Sequence, residues 1–170
     1  MTLRIETGYI PGSIGRIADL SVCNMQIFGF GSAFEARVAR DAAEFCERLS
    51  SPRAQLWRVM HEDCIMGTIA MDGEDLGDGL CHLRWFMLDQ RIHGQGVGRQ
   101  LLKSACDFAD AGGFRETRLW TIRGLDAARV LYEHAGFALV REWEGDQWGS
   151  VVHERLYTRP REGAAKSTGS

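Results

Sequence analysis

The chain has 170 residues, 45% of them apolar and 25% charged, which is the make-up of a globular domain able to bury a continuous core without disulfides or a structural metal. Twenty Lys+Arg against 23 Asp+Glu leave a net charge of −3, a balance poorly suited to gripping a phosphate backbone, so no nucleic acid partner is expected. No apolar run approaches the roughly 18 residues of a membrane span and the N-terminus lacks a secretory h-region, so no membrane partner is expected and the expected location is cytoplasmic.

Residues 3–6 can form a first strand, broken by Pro11-Gly12. Ser13 is placed to cap a helix whose stripe is Ile14, Ile17 and Ala18. Gly29 and Gly31 interrupt the next stretch, and a second helix over 33–49 sets Phe34, Val38, Ala42 and Phe45 at helical spacing. The period then shortens to two: 55–62 and 64–71 predict a hairpin turning at Glu62-Asp63. A Gly- and Asp-rich loop over 73–79 leads into a strand over 80–88. The helical pattern over 96–111 is the best in the chain, with Val97, Leu101, Ala105 and Phe108 on one face. A short strand at 117–121 follows, then a helix over 126–135 capped by Asp126 and stopped by Gly136. Strands over 137–144 and 151–158 close the pattern. Residues 161–170 (REGAAKSTGS) are small, polar and unpatterned, and read as a disordered tail behind one domain of 1–160. The order predicts the α/β (α+β) class, one mixed sheet with helices on both faces.

The five cysteines (Cys23, Cys46, Cys64, Cys81 and Cys106) are widely spaced, odd in number and form no CxxC pair, which points to reduced, mostly buried thiols. Neither they nor the five histidines show zinc-type spacing, so no metal is expected.

The informative segment runs from Met87 through Arg99, MLDQRIHGQGVGR. A strand enters a turn with glycine at 94, 96 and 98, and a helix begins at once. Such glycines let successive amides aim at one point, and the helix N-terminus adds unpaired N–H groups and the positive end of its dipole. A phosphate is the natural occupant, with Arg91 and Arg99 flanking it. A P-loop is excluded because no Lys-Ser/Thr follows, and a dinucleotide fingerprint because Arg99 and Leu101 stand where its third glycine would fall. The plain alternative is a tight strand-to-helix turn with no ligand.

This segment resembles the R/Q-x-x-G-x-G/A signature of the GNAT superfamily of N-acetyltransferases, in either of two registers, Arg91-x-x-Gly94-x-Gly96 or His93-x-x-Gly96-x-Gly98. The second sets its glycines better at the helix start. Downstream, ARVLYEHAGF at 128–137 is similar to that superfamily's second motif, A-x-x-L-Y-E-x-x-G-F. The stretches IAMDGED and EGDQWG also look like acetyltransferase domains fused to MarR-type regulators. The sequence departs from the pattern at His93, where arginine is usual, and at Leu125, where an asparagine often begins the second motif.

The resemblance implies a GNAT-like mixed sheet of about seven strands, splayed in the middle and flanked by about four helices. It implies acetyl-CoA as cosubstrate, held by the amides of His93, Gly94, Gln95, Gly96, Val97 and Gly98 at the diphosphate. Backbone groups of Phe86, Met87 and Leu88 would pair with the pantetheine as an added strand. A primary amine, on a small molecule or a peptide, would attack the thioester directly. Tyr132 is the implied general acid toward the thiolate; a packed core tyrosine is the alternative. Period-two alternation sets His82, Arg84, Phe86 and Leu88 on one face of their strand, and His82 is the candidate base, with a half-exposed strand histidine as its alternative. The carboxylates Glu35, Asp72, Glu74 and Asp75 read as solvated. Trp143, Gln147 and Trp148 could wall the acceptor pocket. A noncatalytic acyl-CoA-sensing module and a structural scaffold are the rival readings. A homodimer through an edge strand fits the superfamily but no particular residue supports it.

Overall fold

The computed structural model describes residues 1–163. Most of the expected tail, 164–170, lies outside the described residues. Its first residues are tied down: the Arg161 amide donates to the Arg115 carbonyl, and the Glu162 amide to Asp110 Oδ1.

The elements are β1 (Arg4–Thr7), α1 (Ser13–Asn24), α2 (Ser32–Glu47), β2 (Ala54–His61), β3 (Cys64–Asp72), β4 (Leu80–Leu88), α3 (Val97–Ala111), β5 (Glu116–Ile122), α4 (Asp126–His134), β6 (Ala138–Gly145) and β7 (Val152–Pro160). Two short 3-10 turns, Gln26–Phe28 and Gln90–Ile92, have no counterpart in the sequence reading. One seven-stranded sheet runs in the order β1-β2-β3-β4-β5-β7-β6, with β4–β5 parallel and the other pairs antiparallel.

Each face of the sheet has its own core. Trp57, Val59, Ile69, Met71 and Leu83 pack beneath α3 with Leu101 and Ala105, while Leu56 and Ala70 pack beneath α1 and α2 with Ile17, Phe34 and Phe45. Covering on both faces is why β3 is buried at every position after Cys64, rather than alternating apolar and polar.

Both expected helix caps differ. Gly12, left-handed at φ 93°, precedes α1, and the Ser13 hydroxyl turns back to Ile10, donating to its carbonyl at 2.7 Å and accepting from its amide at 3.1 Å. Leu125 precedes α4 with no side-chain cap, and Asp126 lies inside the first turn. At the other end Gly136 (φ 97°) closes α4 as expected. Its amide bonds the Glu133 carbonyl and the Phe137 amide bonds the Tyr132 carbonyl, the paired bonds of a Schellman ending.

Two irregularities of β4 shape the site. It pairs with β5 only at Leu80–Glu116, Cys81–Thr117 and His82–Arg118; beyond these the strands part, β4 following β3 and β5 following β7. Between Arg84 and Met87 the register against β3 shifts, and Trp85 takes φ 47°. An extra residue in one strand reverses the facing of everything after it. His82 and Arg84 therefore face α2, whereas Phe86 and Leu88 join the core beneath α3, so the expected common face for the four is corrected by this bulge. The Thr68 hydroxyl donates to the Trp85 carbonyl at 2.8 Å and holds the bulge from below.

Candidate active site

The parting of β4 from β5 opens a cleft of about 1280 Å³ that runs from the α3 N-terminus to the far side of the sheet. At its mouth, the amides of residues 94–99 make no hydrogen bond among the described residues. The His93 amide is different: it donates to the Gln90 carbonyl at 3.2 Å and closes the 3-10 turn, so the set of open amides begins one residue later than expected. Gly94 and Gly96 are left-handed, at φ 75° and 79°, with open space where a Cβ would stand. Gly98 serves packing instead, since a Cβ there would come within 3.1 Å of Leu88 Cδ1 and 3.5 Å of Phe86 Cζ. Six bare amides at the positive end of a 15-residue helix form an anion site.

His93, Gly94, Gly96, Val97, Gly98 and Arg99 line the cleft. Arg91 does not supply the expected charge. Its Nε and Nη2 each lie 2.9 Å from Asp89, which also accepts from Arg16 at 2.7 Å. These partners hold the Asp89 carboxyl well below the ordinary range, led by the Arg91 hydrogen bond. Gln95 also turns away, its side-chain amide 3.4 Å from the Arg91 carbonyl.

Phe86, Met87 and Leu88 line the middle of the cleft. The Leu88 carbonyl already accepts from Asn24 Nδ2 at 3.1 Å, with His93 Nε2 at 3.3 Å. Tyr132 reaches the cleft from α4, its ring packed against Phe86, Phe137 and Tyr157 at centroid distances of 5.9, 5.9 and 6.2 Å. Its hydroxyl has no hydrogen-bond partner among the described residues yet is not sealed from solvent. Burial, with Tyr157 beside it, pushes this hydroxyl well above tyrosine's ordinary range. It is a protonated donor at neutral pH.

On the far side, His82 Nδ1 lies 2.7 Å from Asp75 Oδ2, and the imidazole stands edge-on to Trp120 at 5.0 Å. Burial acts to raise the Asp75 carboxyl, but the His82 hydrogen bond and the charges of His82, Arg84 and Arg48 outweigh it and hold the carboxyl low. A carboxylate on Nδ1 fixes the tautomer and leaves Nε2 to accept a proton. Asp75 and Glu74 are exposed on the loop as expected, but each is engaged, Asp75 by His82 and Glu74 by the Ser51 hydroxyl. Asp72 is not solvated as expected: it is fully buried against Arg48. Gln147 and Trp148 line the cleft; Trp143 does not, because its indole N–H donates to the buried Glu154 at 2.6 Å. Asn24, Arg37, Asp41 and Trp120 also line it, unmarked by any motif. Cys81 and Cys106 are buried free thiols.

A seven-stranded mixed sheet split beside an open glycine turn is the architecture of an acyl-transferring enzyme. The model of the acetyltransferase (GNAT) family matches residues 20–137, and the chain belongs to that family. Solved structures carry the same fold. A putative acetyltransferase from Salmonella typhimurium, yncA, solved with acetyl-CoA, superposes with a TM-score of 0.74 at 13% identity over 100% of this chain and 98% of its own. A GNAT acetyltransferase from Staphylococcus aureus gives 0.73 at 16% identity over 94% and 99% of the two chains. The ribosomal-protein-S18-alanine N-acetyltransferase of Escherichia coli gives 0.68 at 15% identity over 94% of each. No curated protein matches the chain in sequence. No helix among the described residues is long and apolar enough to cross a membrane.

Proposed function

We propose that this acetyltransferase passes the acetyl group of acetyl-CoA to a primary amine by direct attack, with no covalent enzyme intermediate. The observation that carries the reading is the run of open amides at 94–99 over a cleft that continues between the splayed strands. The amides and Arg99 would hold the diphosphate, and β4 from Phe86 to Leu88 would flank the pantetheine. Acetyl-CoA supplies an acyl group on a good leaving sulfur.

The neutral amine nitrogen forms the new C–N bond as the C–S bond breaks and gives up one proton to His82 Nε2, which passes it to solvent. Asp75 holds the imidazole and faces the charge it gains. Tyr132 gives its proton to the departing sulfur and regains one from solvent. The raised affinity of its hydroxyl for that proton suits a donor that acts only when a thiolate develops beside it. The bound geometry also replaces a bimolecular encounter.

Calorimetry with CoA and thiol release from acetyl-CoA against a panel of amines test the reading together. The wild-type protein is expected to bind CoA and to release thiol with at least one amine. Tyr132→Phe and His82→Gln are expected to lower kcat by about 10²-fold or more while CoA binding stays within about twofold. No binding of CoA would overturn the assignment, and binding without turnover would leave an acyl-CoA sensor. Equal turnover by Tyr132→Phe would remove the acid role.

A further inference from the structure

Between α2 and β4 the wall of the cleft carries an unbroken chain of charged side chains. Arg37 lies 3.9 Å from Asp41, Asp41 3.2 Å from Arg84, Arg84 3.8 Å from Asp75, and Asp75 2.7 Å from His82. Arg37, Asp41, Arg84 and His82 face the cleft directly. Two guanidinium groups and two carboxylates cancel, so this wall has no surplus negative charge to offer a polycation.

Arg84 is the more enclosed of the two cations, its side chain 18% exposed against 41% for Arg37, with its guanidinium 4.2 Å over the Trp85 ring. Only its Nη2 makes a hydrogen bond among the described residues, to Asp41. Its Nη1 stands 3.8 Å from Asp75, beyond hydrogen-bond distance, and its Nε has no hydrogen-bond partner among the described residues, on a side chain that lines the cleft. A desolvated guanidinium with open donors is a planar fork that matches a carboxylate.

We infer that this wall selects an amine carrying a carboxylate a few bonds from its nitrogen, a small aminocarboxylate, with the carboxylate on the open edge of Arg84 and the amine at His82. The inference rests on the acyl transfer proposed above. His82 and Arg84 stand two residues apart on one face of β4, about 7 Å along the strand, a span that a fork-bound carboxylate and a nearby amine can bridge. Charge balance favours the same occupant. When His82 takes the proton, the imidazolium stays against Asp75 and the acceptor's carboxylate stays against Arg84. A polyamine would instead leave its second cation facing two arginines. Phe34, Val38 and Trp148 supply apolar wall for the rest of the acceptor.

Thiol release from acetyl-CoA is measured with matched pairs: phenylalanine and phenethylamine, leucine and isoamylamine, γ-aminobutyrate and propylamine, with spermidine as the polycation. In at least one pair, the aminocarboxylate is expected to have a KM about tenfold or more below that of its decarboxylated partner, the size of one lost hydrogen bond to a charged group. Arg84→Gln is expected to erase that difference and Arg84→Lys to restore part of it, while CoA binding by calorimetry is unchanged. The pairs alone decide the question should either variant fail to fold. If decarboxylated amines or spermidine are used as well as the aminocarboxylates, or in their place, the inference is overturned and the acyl transfer stands. If CoA does not bind, or no amine releases thiol, the transfer reading fails and this inference with it.

Discussion

In the proposed reaction Tyr132 and His82 make opposite proton transfers, and their surroundings differ accordingly. An aromatic cage without a counter-charge keeps Tyr132 protonated, whereas a carboxylate on one nitrogen of His82 leaves the other to accept. The motif at 128–137 marks Tyr132 in the sequence, and strand alternation marks His82. Asp75 was legible only as a loop acid, because its pairing depends on how the 73–79 loop folds back. The pairing of Arg91 has a visible cause in the sequence, since Asp89 stands two residues before it and caps the same 3-10 turn. Burial also separates the thiols. It pushes Cys81 up to about 12, with Asp72 and Asp75 adding to the effect, and Cys106 up to about 11, whereas Cys23 and Cys64 are exposed. Thiolates are the reactive form. With a disulfide reagent at pH 8, Cys23 and Cys64 should therefore label first, and Cys81 and Cys106 only when guanidinium unfolds the chain. Mass spectrometry locates the label, and early modification of Cys81 would contradict this burial.

At the scale of elements, periodicity together with the turn residues found every α-helix and strand in its order, most directly where an element buries one face, as α3 does. It missed the bulge in β4. A tryptophan at φ 47° has no local sequence signature; tertiary contacts hold it there, with its ring on Phe45 and its carbonyl on Thr68. The consequence is large, because the same strand shows His82 and Arg84 to the α2 side and Phe86 and Leu88 to the α3 side. Thr68 is fully buried and its hydroxyl is the donor to that carbonyl. Thr68→Val keeps the shape and removes the donor. It should lower stability by about 1–3 kcal/mol, the cost of an unsatisfied buried acceptor, and weaken acetyl-CoA binding because the strand edge along the cleft loosens. Thr68→Ser should recover both. Urea denaturation and calorimetry read the two effects, and an unchanged midpoint in Thr68→Val would show that the bulge holds without the hydroxyl.

Across the whole molecule, structures only 13–16% identical share the fold of this chain, which here rests on the apolar pattern that fills the cores on the two faces of its sheet. What the pattern does not encode is the set of ion pairs between elements. Asp89 joins the end of β4 to Arg16 of α1, and Asp110 of α3 takes both terminal nitrogens of Arg159 on β7, at 2.9 and 3.0 Å. The hydrogen bond from Arg91 holds Asp89 low, and that from Arg159 holds Asp110 low, each against a smaller effect of burial. A carboxyl depressed in the folded chain takes up its proton at lower pH than the same group unfolded. Just below the ordinary carboxylate value of about 4 the unfolded chain binds more protons, so stability falls as pH falls. These contributions are complete above that value and disappear as pH drops through the folded ones. Urea midpoints should therefore change little on account of these groups from pH 7 to 5 and fall steeply from about pH 4.5 to 2.5. Asp110→Asn cannot titrate at that position. It should be less stable than wild type at pH 6 and should lose less on acidification, so the two curves converge. Parallel curves over that window would mean that the link between α3 and β7 adds nothing to stability.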